Sequence, residues 1–247
     1  MTHHGGKFDP ANLNLAELTP AEIARRNRLT PQEFRQMVRN RQWNPDPTLT
    51  QHYCLGYGQH SMAILPKDYA LEFLVFCLRN PRACYVADVC DVGSPHPSVL
   101  APDADVRTDC QRYRVFKNGE VVDEPDDILS YWNDELVAFL INCSMGFEGV
   151  LRQKHVHFTT NGTHISNIPC QPSGRFKCEG LVVSTRVFPT SNDAVRAIQI
   201  TSELPVSYGY PAGYWRRQKN RHRSQSSDVE SLVRGPPRFS RSPGRSA

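Results

Sequence analysis

The spacing of apolar and polar positions near the start of the chain predicts two short amphipathic helices. In residues 19–22 and 30–33, a threonine can cap a free amide, a proline fits the first helical position and a glutamate can complete a capping box. The second start is followed by an apolar stripe of Phe34, Met37 and Val38. Nothing in these two helices has the chemistry of a catalytic group.

Three further patterns follow one another before the middle of the chain. The apolar run at residues 62–65 predicts a strand, and the β-branched and aromatic run at residues 84–92 predicts a buried strand. Between them, residues 68–80 predict a helix that ends at an Asn-Pro pair. One face of that helix is apolar and consists of Ala70, Phe73, Leu74 and Cys77.

A β-hairpin is predicted by the dipeptide Asn118-Gly119, which fits a tight primed turn. Residues 112–116 and 120–123 flank this dipeptide and supply the two strands. We expect the hairpin region to form a smaller unit attached to the main body.

The apolar pattern after the hairpin predicts a helix that starts near residue 128. Its inward face would consist of Trp132, Leu136, Phe139 and Leu140. Ser144 is placed to cap a second, short helix that carries Phe147, Glu148 and Leu151.

The last periodic segments are a β-branched run at residues 181–187, which predicts a buried strand, and residues 191–204, which predict a helix with Val195 and Ile198 inward. Strands and helices therefore alternate along the body. We expect an α/β fold with a layered core sheet and helices, plus a smaller α/β insertion that contains the hairpin.

Composition limits the class of protein without naming a function. The chain has 247 residues, 39% of them apolar and 22% charged, which is typical of a globular protein. It has no apolar run of the length that a membrane span needs, and no secretory signal is visible. We expect a cytoplasmic location, with the mitochondrion as the alternative.

The net charge of +4 is unevenly distributed along the chain. Residues 216–247 carry nine Arg or Lys against Asp228 and Glu230, a balance of +7, so the remaining body has a balance of −3. The body gives no electrostatic reason to expect specific nucleic-acid binding. The tail is rich in Arg, Ser, Pro and Gly and is predicted to be disordered, with only weak polyanion contacts.

Eight cysteines raise the question of disulfides or a metal site. The sequence contains no Cys-x-x-Cys pair, and several cysteines lie inside apolar runs. We expect reduced, mostly buried thiols. His155 and His157 would share a face on a strand, but no third ligand stands at a recognisable spacing, so a metal site is not predicted.

Four residues in a short segment form a charged cluster: Asp105, Arg107, Thr108 and Asp109. Arg107 could hold a substrate carboxylate through its planar guanidinium, with Thr108 as a second donor. The alternative is a surface ion-pair cluster that fixes the hairpin.

The pair Cys143-Ser144 lies where two predicted helices meet. Free amides at the start of the second helix could bind an anion or stabilise an oxyanion. Ser144 could instead be only a helix cap. Glu148, one turn further on, could transfer a proton if it is shielded from water, and an exposed helical glutamate is the alternative.

Over residues 30–211, the chain resembles the hydro-lyase family that includes D-glutamate cyclase. The segments that carry the resemblance are Ile-Leu-Pro-Lys-Asp-Tyr-Ala at 64–70, Phe-Cys-Leu-Arg-Asn-Pro at 76–81, 105–109, 113–115, 134–140, 143–144, 147–148, Ser-Asn-Ile-Pro at 166–169, 181–184 with Arg186, and 200–202. The resemblance implies a layered α/β core with a smaller insertion. It also implies addition or removal of water, as in the interconversion of D-glutamate and 5-oxo-D-proline.

That reaction needs a clamp for the substrate carboxylate, a proton acceptor and an oxyanion donor, with no metal or organic cofactor. The assignments suggested by the resemblance are Arg107 and Thr108, or Arg186, for the clamp; Asn167 for substrate binding; Cys143 and Ser144 for donation; and Glu148 or Asp109 for proton transfer. The expected partner is a small carboxylate, and a homo-oligomer is left open.

The chain departs from the family pattern in several places. It has Asn142 and Met145-Gly146 around Cys143-Ser144, where the family has Gly and Phe-Ser. Tyr208 stands in place of a family histidine, and the basic tail replaces the family's Val-His-x-Gly-Asp-Pro segment and closing strand. We expect an impaired activity if those elements complete the pocket.

The expected organisation is a flexible N-terminus at residues 1–17, a hydro-lyase-like domain at 18–211 with an insertion at about 93–127, and a disordered tail at 212–247. The alternative function is a non-catalytic family member whose Arg-Ser tail contacts polyanions or proteins. A third alternative is a tail with no function.

Overall fold

The computed structural model describes residues 19–42, 53–143 and 145–204. The predicted flexible N-terminus, Ser144 and the predicted disordered tail lie outside the described residues. The elements in chain order are α1 (Pro20–Asn27), α2 (Pro31–Arg39), β1 (His60–Pro66), α3 (Lys67–Arg79), β2 (Val86–Val89), β3 (Val115–Lys117), β4 (Glu120–Asp123), β5 (Leu136–Asn142), α4 (Met145–Gln153), β6 (Thr159–Ile165), β7 (Val182–Val187) and α5 (Ser191–Ser202).

An antiparallel three-stranded sheet in the order β1-β5-β2 forms the centre of the fold. Helix α3 contacts all three strands, and the ring of Phe73 packs edge-on against Phe139 with centroids 4.9 Å apart. The opposite face packs Ala138 against Cys90 and Val106. Both faces of the central strand are therefore covered, and the mixture of helices and sheets confirms the predicted α/β class.

The helix predicted from residue 128 is wrong, because residues 136–142 form the central strand β5. Val137, Ala138 and Phe139 are each at most 3% exposed, although they alternate between two faces. A strand buried on both faces is apolar at every position, so its sequence lacks the alternation that marks a strand. The positions of Trp132, Leu136 and Phe139 then matched a helical period by coincidence.

The two helix starts near the N-terminus are confirmed. Thr30 accepts a hydrogen bond from the amide of Glu33, and the Glu33 carboxylate accepts one from the Thr30 amide at 2.8 Å. Thr19 caps α1 in the same way, but the Glu22 side chain turns to Arg25 instead of closing the box. Local sequence chemistry was sufficient to define both helix starts.

The hairpin is confirmed as β3 and β4, which form a separate two-stranded sheet. Asn118 and Gly119 have φ angles of +53° and +83°, the left-handed conformation that a primed turn requires at both positions. The hairpin lies inside the segment predicted as an insertion.

A third sheet pairs β6 with β7 and leads into α5. The strand β7 is present as predicted, but the expectation that it is buried is wrong, because exposed and partly buried residues alternate along it. Helix α5 is confirmed, although its inward face differs: Ala194 and Ala197 are buried, whereas Val195 is exposed. Leu151 and Val156 pack against Ala197, which joins α4 to α5.

One disulfide, between Cys170 and Cys178, corrects the expectation that all thiols are reduced. It closes a loop that docks on α3 through Arg175, whose guanidinium lies 3.7 Å from the ring centroid of Tyr69. Free thiols remain at the other six positions: Cys54, Cys77, Cys84, Cys90, Cys110 and Cys143. Spacing in the sequence gave no sign of the bonded pair.

None of the helices in the described part of the chain has the length and apolar character needed to cross a membrane.

Candidate functional site

The candidate site lies where α4 starts, directly after the central strand. Strand β5 ends at Asn142, the carbonyl of Cys143 accepts a hydrogen bond from the amide of Gly146, and Glu148 lies in the first turn of α4. The carboxylate of Glu148 is therefore held near the positive end of a helix dipole. This is the strand-to-helix junction that replaces the predicted junction between two helices.

Glu148 is buried and forms an ion pair with Arg186 of β7. Glu148 is only 3% exposed, and the Arg186 side chain is 10% exposed. The Nε and Nη2 atoms of Arg186 both donate to Oε1 of Glu148, with the Nε bond at 3.1 Å. The alternative of an exposed helical glutamate is therefore wrong, because Glu148 is buried and paired with a guanidinium.

The second oxygen of Glu148 is held less tightly. Its Oε2 atom lies 4.0 Å from Nη2 of Arg152, one helical turn further along α4. Two aromatic rings support the guanidinium groups: Arg186 lies 5.2 Å from the ring centroid of Phe147, and Arg152 lies 4.7 Å from that of Phe158. Aromatic faces attract cations, so the rings fix the arginines beside the carboxylate.

Arg152 was not among the predicted site residues. The signal for it was present, because residues four apart on a helix lie on the same face, and Glu148 and Arg152 have that spacing.

The charged cluster at residues 105–109 is a structural connection between a loop and α2. Asp109 accepts hydrogen bonds from Nε and Nη2 of Arg39 at 2.5 and 2.6 Å, and its side chain is only 6% exposed. It also accepts from the Asp105 amide at 2.8 Å and from the Thr108 hydroxyl at 3.0 Å. These contacts use the lone pairs of Asp109. They agree with the alternative of an ion-pair cluster, but its Asp109 is nearly buried and its described ion pairs hold α2 and not the hairpin.

Arg107 holds Asp105 through Nε and Nη2, at 2.9 and 2.7 Å. Burial alone would raise the pKa of Asp105, but the hydrogen bonds from the side chain and amide of Arg107 hold it below its usual value. The hydrogen bonds to Asp109 raise the pKa of Arg39 above its usual value. The described ion pairs of Arg107 and Asp109 are with Asp105 and α2, so they do not join this cluster to Glu148.

The remaining predicted site residues lie at separate positions. Cys143 is partly buried at the end of β5. Asn167 is exposed in the turn after β6, where the hydroxyl of Ser166 donates to the carbonyl of Leu181 at 2.7 Å. Ser144 lies outside the described residues. Of the predicted residues, the structure brings Glu148 of α4 and Arg186 of β7 into direct contact, and Cys143 lies in the short connection before α4.

A histidine that the sequence did not single out faces the same end of the sheet. His60 is paired with Asn142 in the β1–β5 register, and its Nδ1 atom is buried with no hydrogen-bond partner. Burial lowers the pKa of His60, while the charge of Asp88 and a hydrogen bond to the Ile141 backbone act in the opposite direction. Sequence pattern offered no signal for it, because the pairing with Asn142 is a long-range contact.

Across the described residues, no group of three His, Cys, Asp or Glu side chains is arranged to hold a metal ion. His155 and His157 lie in the turn and loop after α4 and are exposed, so the strand on which they would share a face is absent at that point.

Comparison with known proteins shows which family this chain is similar to. The family model described as D-glutamate cyclase matches residues 137–218, a range that includes β5, Glu148 and Arg186. A Bacillus licheniformis protein named "Putative hydro-lyase" is 44% identical over 191 residues, which cover 75% of this chain and 71% of the relative.

Two further relatives have the same name. One from Geobacillus kaustophilus is 43% identical over 190 residues, covering 74% of this chain and 70% of the relative. One from Bacillus subtilis is 42% identical over 189 residues, covering 74% of this chain and 72% of the relative.

The family match and these relatives support lyase chemistry of the hydro-lyase type. The chain belongs to the hydro-lyase family that includes D-glutamate cyclase, as the sequence motifs predicted.

Proposed function

We propose that this protein interconverts D-glutamate and 5-oxo-D-proline, or a similar small amino acid and its lactam, by loss or addition of water. The observation that carries the proposal is the buried carboxylate of Glu148, held by Arg186 inside the segment that matches the D-glutamate cyclase model. In the hydrolytic direction, water adds to the lactam carbonyl carbon, the carbon–nitrogen bond breaks, and the nitrogen leaves with a proton.

Glu148 carries the proton in this mechanism. Its Oε1 atom accepts from Arg186, whereas Oε2 has only the 4.0 Å approach of Arg152 as a described ion pair. Oε2 takes a proton from the attacking water and returns it to the departing nitrogen, so one carboxylate serves both steps. Asp109 is the weaker assignment, because Arg39, an amide and a hydroxyl already occupy its oxygens.

Arg186 is the better of the two proposed clamps. A guanidinium has five N–H donors, and only those on Nε and Nη2 contact Glu148 in the structure. A substrate carboxylate can bind the guanidinium N–H groups that do not contact Glu148, and it then lies next to the Glu148 carboxylate. Arg107 already holds Asp105 with the same two atoms, on the loop that is joined to α2.

The oxyanion that forms on the lactam carbonyl needs donors that are in place before reaction. The start of α4 at Met145 offers backbone amides and the positive end of a helix dipole. Cys143 and Ser144 remain the proposed donors at this position. Asn167 remains a proposed substrate contact from the family motif, in the turn between β6 and β7.

The test is incubation of the purified full chain with 5-oxo-D-proline and, separately, with 5-oxo-L-proline. Chiral chromatography of the products would show D-glutamate accumulating above a no-protein control if the proposal is right. No glutamate from either enantiomer would reject the assignment of D-glutamate and 5-oxo-D-proline as the reacting pair. The alternative of a non-catalytic protein with a polyanion-binding tail rests on residues 212–247, which lie outside the described residues, and stays a prediction.

A further inference from the structure

Arg152 is the exposed member of the charged group around Glu148. The side chains of Glu148 and Arg186 are 4% and 10% exposed, whereas that of Arg152 is 39% exposed. The carboxylate lies between the two guanidinium groups, with Oε1 on Arg186 and Oε2 on the side of Arg152. Of the three side chains, Arg152 is therefore the one that a ligand arriving from solvent can contact while the buried pair stays intact.

The contact with Glu148 does not account for the position of Arg152. Its Nη2 atom is 4.0 Å from Oε2 of Glu148, beyond hydrogen-bonding distance, and a partly exposed pair of this spacing on a helix contributes little to stability. The guanidinium instead lies over the ring of Phe158, 4.7 Å from its centroid. Phe158 packs against the buried cluster that joins α4 to α5, so the core holds the ring that supports Arg152.

A guanidinium that is stacked on an aromatic face directs its N–H groups outward in its own plane, where they can bind a carboxylate with two parallel hydrogen bonds. Arg152 therefore has the geometry of an anion-binding group that is fixed before the ligand arrives. Its location beside the proposed proton-transfer group restricts the anion to a part of the substrate.

The two forms of the proposed substrate differ in where their charges lie. The open-chain amino acid has an α-carboxylate, an ammonium group and a side-chain carboxylate, whereas the lactam has only the α-carboxylate. Ring opening consumes one water, turns the lactam carbonyl carbon into a carboxylate and leaves a proton on the nitrogen, so the net charge does not change. Recognition of the open form therefore depends on the positions of its charges and not on their sum.

We propose that Arg152 binds the side-chain carboxylate of an open-chain dicarboxylic amino acid and thereby selects this class of substrate. This role rests on the proposed function, in which Arg186 binds the α-carboxylate and Glu148 exchanges a proton with the nitrogen. The side chains of Arg186, Glu148 and Arg152 carry charges in the order plus, minus, plus. The charges of D-glutamate follow in the order minus, plus, minus and complement them.

The test uses two matched ligands, D-glutamate and D-glutamine, which differ in the charge of the side-chain group. Isothermal titration calorimetry on the full chain should show that D-glutamate binds more tightly by about tenfold or more, the range expected for hydrogen bonds between charged groups. In Arg152→Gln this preference should fall to within about threefold, because only D-glutamate loses affinity. A variant that keeps the full preference, or that weakens both ligands equally, would overturn the proposal.

Lys154→Gln is the matched control variant. Lys154 is exposed directly after α4, and its replacement removes the same unit of charge from the same end of the helix. The preference for D-glutamate should stay within about twofold of that of the original protein, because an exposed charge without a direct contact is screened by solvent. An equal loss of preference in both variants would show a general effect of charge and would contradict a specific contact with Arg152.

Hydrolysis of 5-oxo-D-proline by the original protein is measured alongside, so that the two proposals fail separately. If the original protein hydrolyses the lactam and Arg152→Gln keeps the preference, only the role of Arg152 is rejected. If the original protein neither binds D-glutamate nor hydrolyses 5-oxo-D-proline, the proposed function is rejected and the role of Arg152 with it. Loss of the preference in Arg152→Gln alone supports the carboxylate contact whether or not turnover is detected.

Discussion

Asn80 and Gln171 are joined by a pair of hydrogen bonds that resembles one step of a β-ladder. The Asn80 side-chain amide donates to the Gln171 carbonyl at 2.9 Å, and its oxygen accepts from the Gln171 amide, also at 2.9 Å. One side chain thus satisfies both backbone groups of a residue 91 positions further along the chain. This contact holds the disulfide-closed loop against the end of α3.

Replacing Asn80 with alanine should destabilise the fold. The change removes three side-chain hydrogen bonds at a residue that is 6% exposed and leaves the polar groups of Gln171 without partners. We expect the free energy of unfolding to fall by about 2–4 kcal/mol, measured by urea denaturation. Asn192→Ala, at an exposed position in α5, is the control and should change it by less than about 0.5 kcal/mol. A loss of similar size in both variants would contradict the structural role of Asn80.

Asp109→Asn should act on stability and leave the chemistry of the site unchanged. The Asp109 carboxylate is nearly buried and holds Arg39, whose side chain is 35% exposed, so the cost is reduced by solvent screening to about 1–3 kcal/mol. Thermal and urea unfolding would measure it. The exposed pair of Arg41 and Asp126 supplies the comparison, because Asp126→Asn should cost less than about 1 kcal/mol.

The same variant separates two roles for Asp109. At a temperature where Asp109→Asn is fully folded, turnover of 5-oxo-D-proline should stay within about threefold of the original protein, because proton transfer is assigned elsewhere. Turnover that instead drops by about 100-fold or more, the effect expected when a general base is lost, would make Asp109 the proton-transfer group.

Glu148→Gln should abolish most of the activity. Glutamine keeps the shape of the side chain and cannot carry a proton between water and nitrogen, so turnover should fall by about 100-fold or more. Steady-state production of D-glutamate would measure this. Glu179→Gln, an exposed position in the loop after the disulfide, is the matched control and should leave turnover unchanged.

The variant Arg186→Lys tests whether Arg186 binds the substrate carboxylate while it is paired with Glu148. Lysine retains the positive charge beside Glu148 but lacks the planar group that can hold two carboxylates at once. We therefore expect a higher KM for 5-oxo-D-proline than in the original protein. If KM and kcat both stay unchanged, Arg186 has no role in substrate binding.

Stability should fall between pH 7.5 and 5.5 partly because of His60. Burial lowers its pKa in the folded protein below the usual 6.5, so below that value the unfolded chain binds the proton first and acid favours unfolding. His60→Gln should therefore lose less stability over this range than the original protein. The pKa of Asp105 is lowered from 3.8, so that group acts only at more acidic pH. His155→Gln, at an exposed position, is the control, and an equal loss in all three proteins would exclude a role for His60.

Local chemistry predicted some elements correctly and failed for others. The capped starts of α1 and α2 and the hairpin turn at Asn118-Gly119 were predicted because their signals lie within four residues. Strand β5 was mistaken for a helix because burial on both faces removed the alternation that marks a strand. The disulfide escaped prediction because the eight-residue spacing of its cysteines carries no information on pairing.

The sequence by itself determined the family and the elements that short-range bonds define. Only the tertiary structure decided which charges meet. Arg186 and Glu148 are separated by 38 residues in the chain, and β7 brings them together. Asp109 meets Arg39 across 70 residues. A carboxylate near an arginine looks the same in both segments of the sequence. Packing alone makes one of them the buried Glu148–Arg186 pair, to which we assign proton transfer, and makes the other a connection between a loop and a helix.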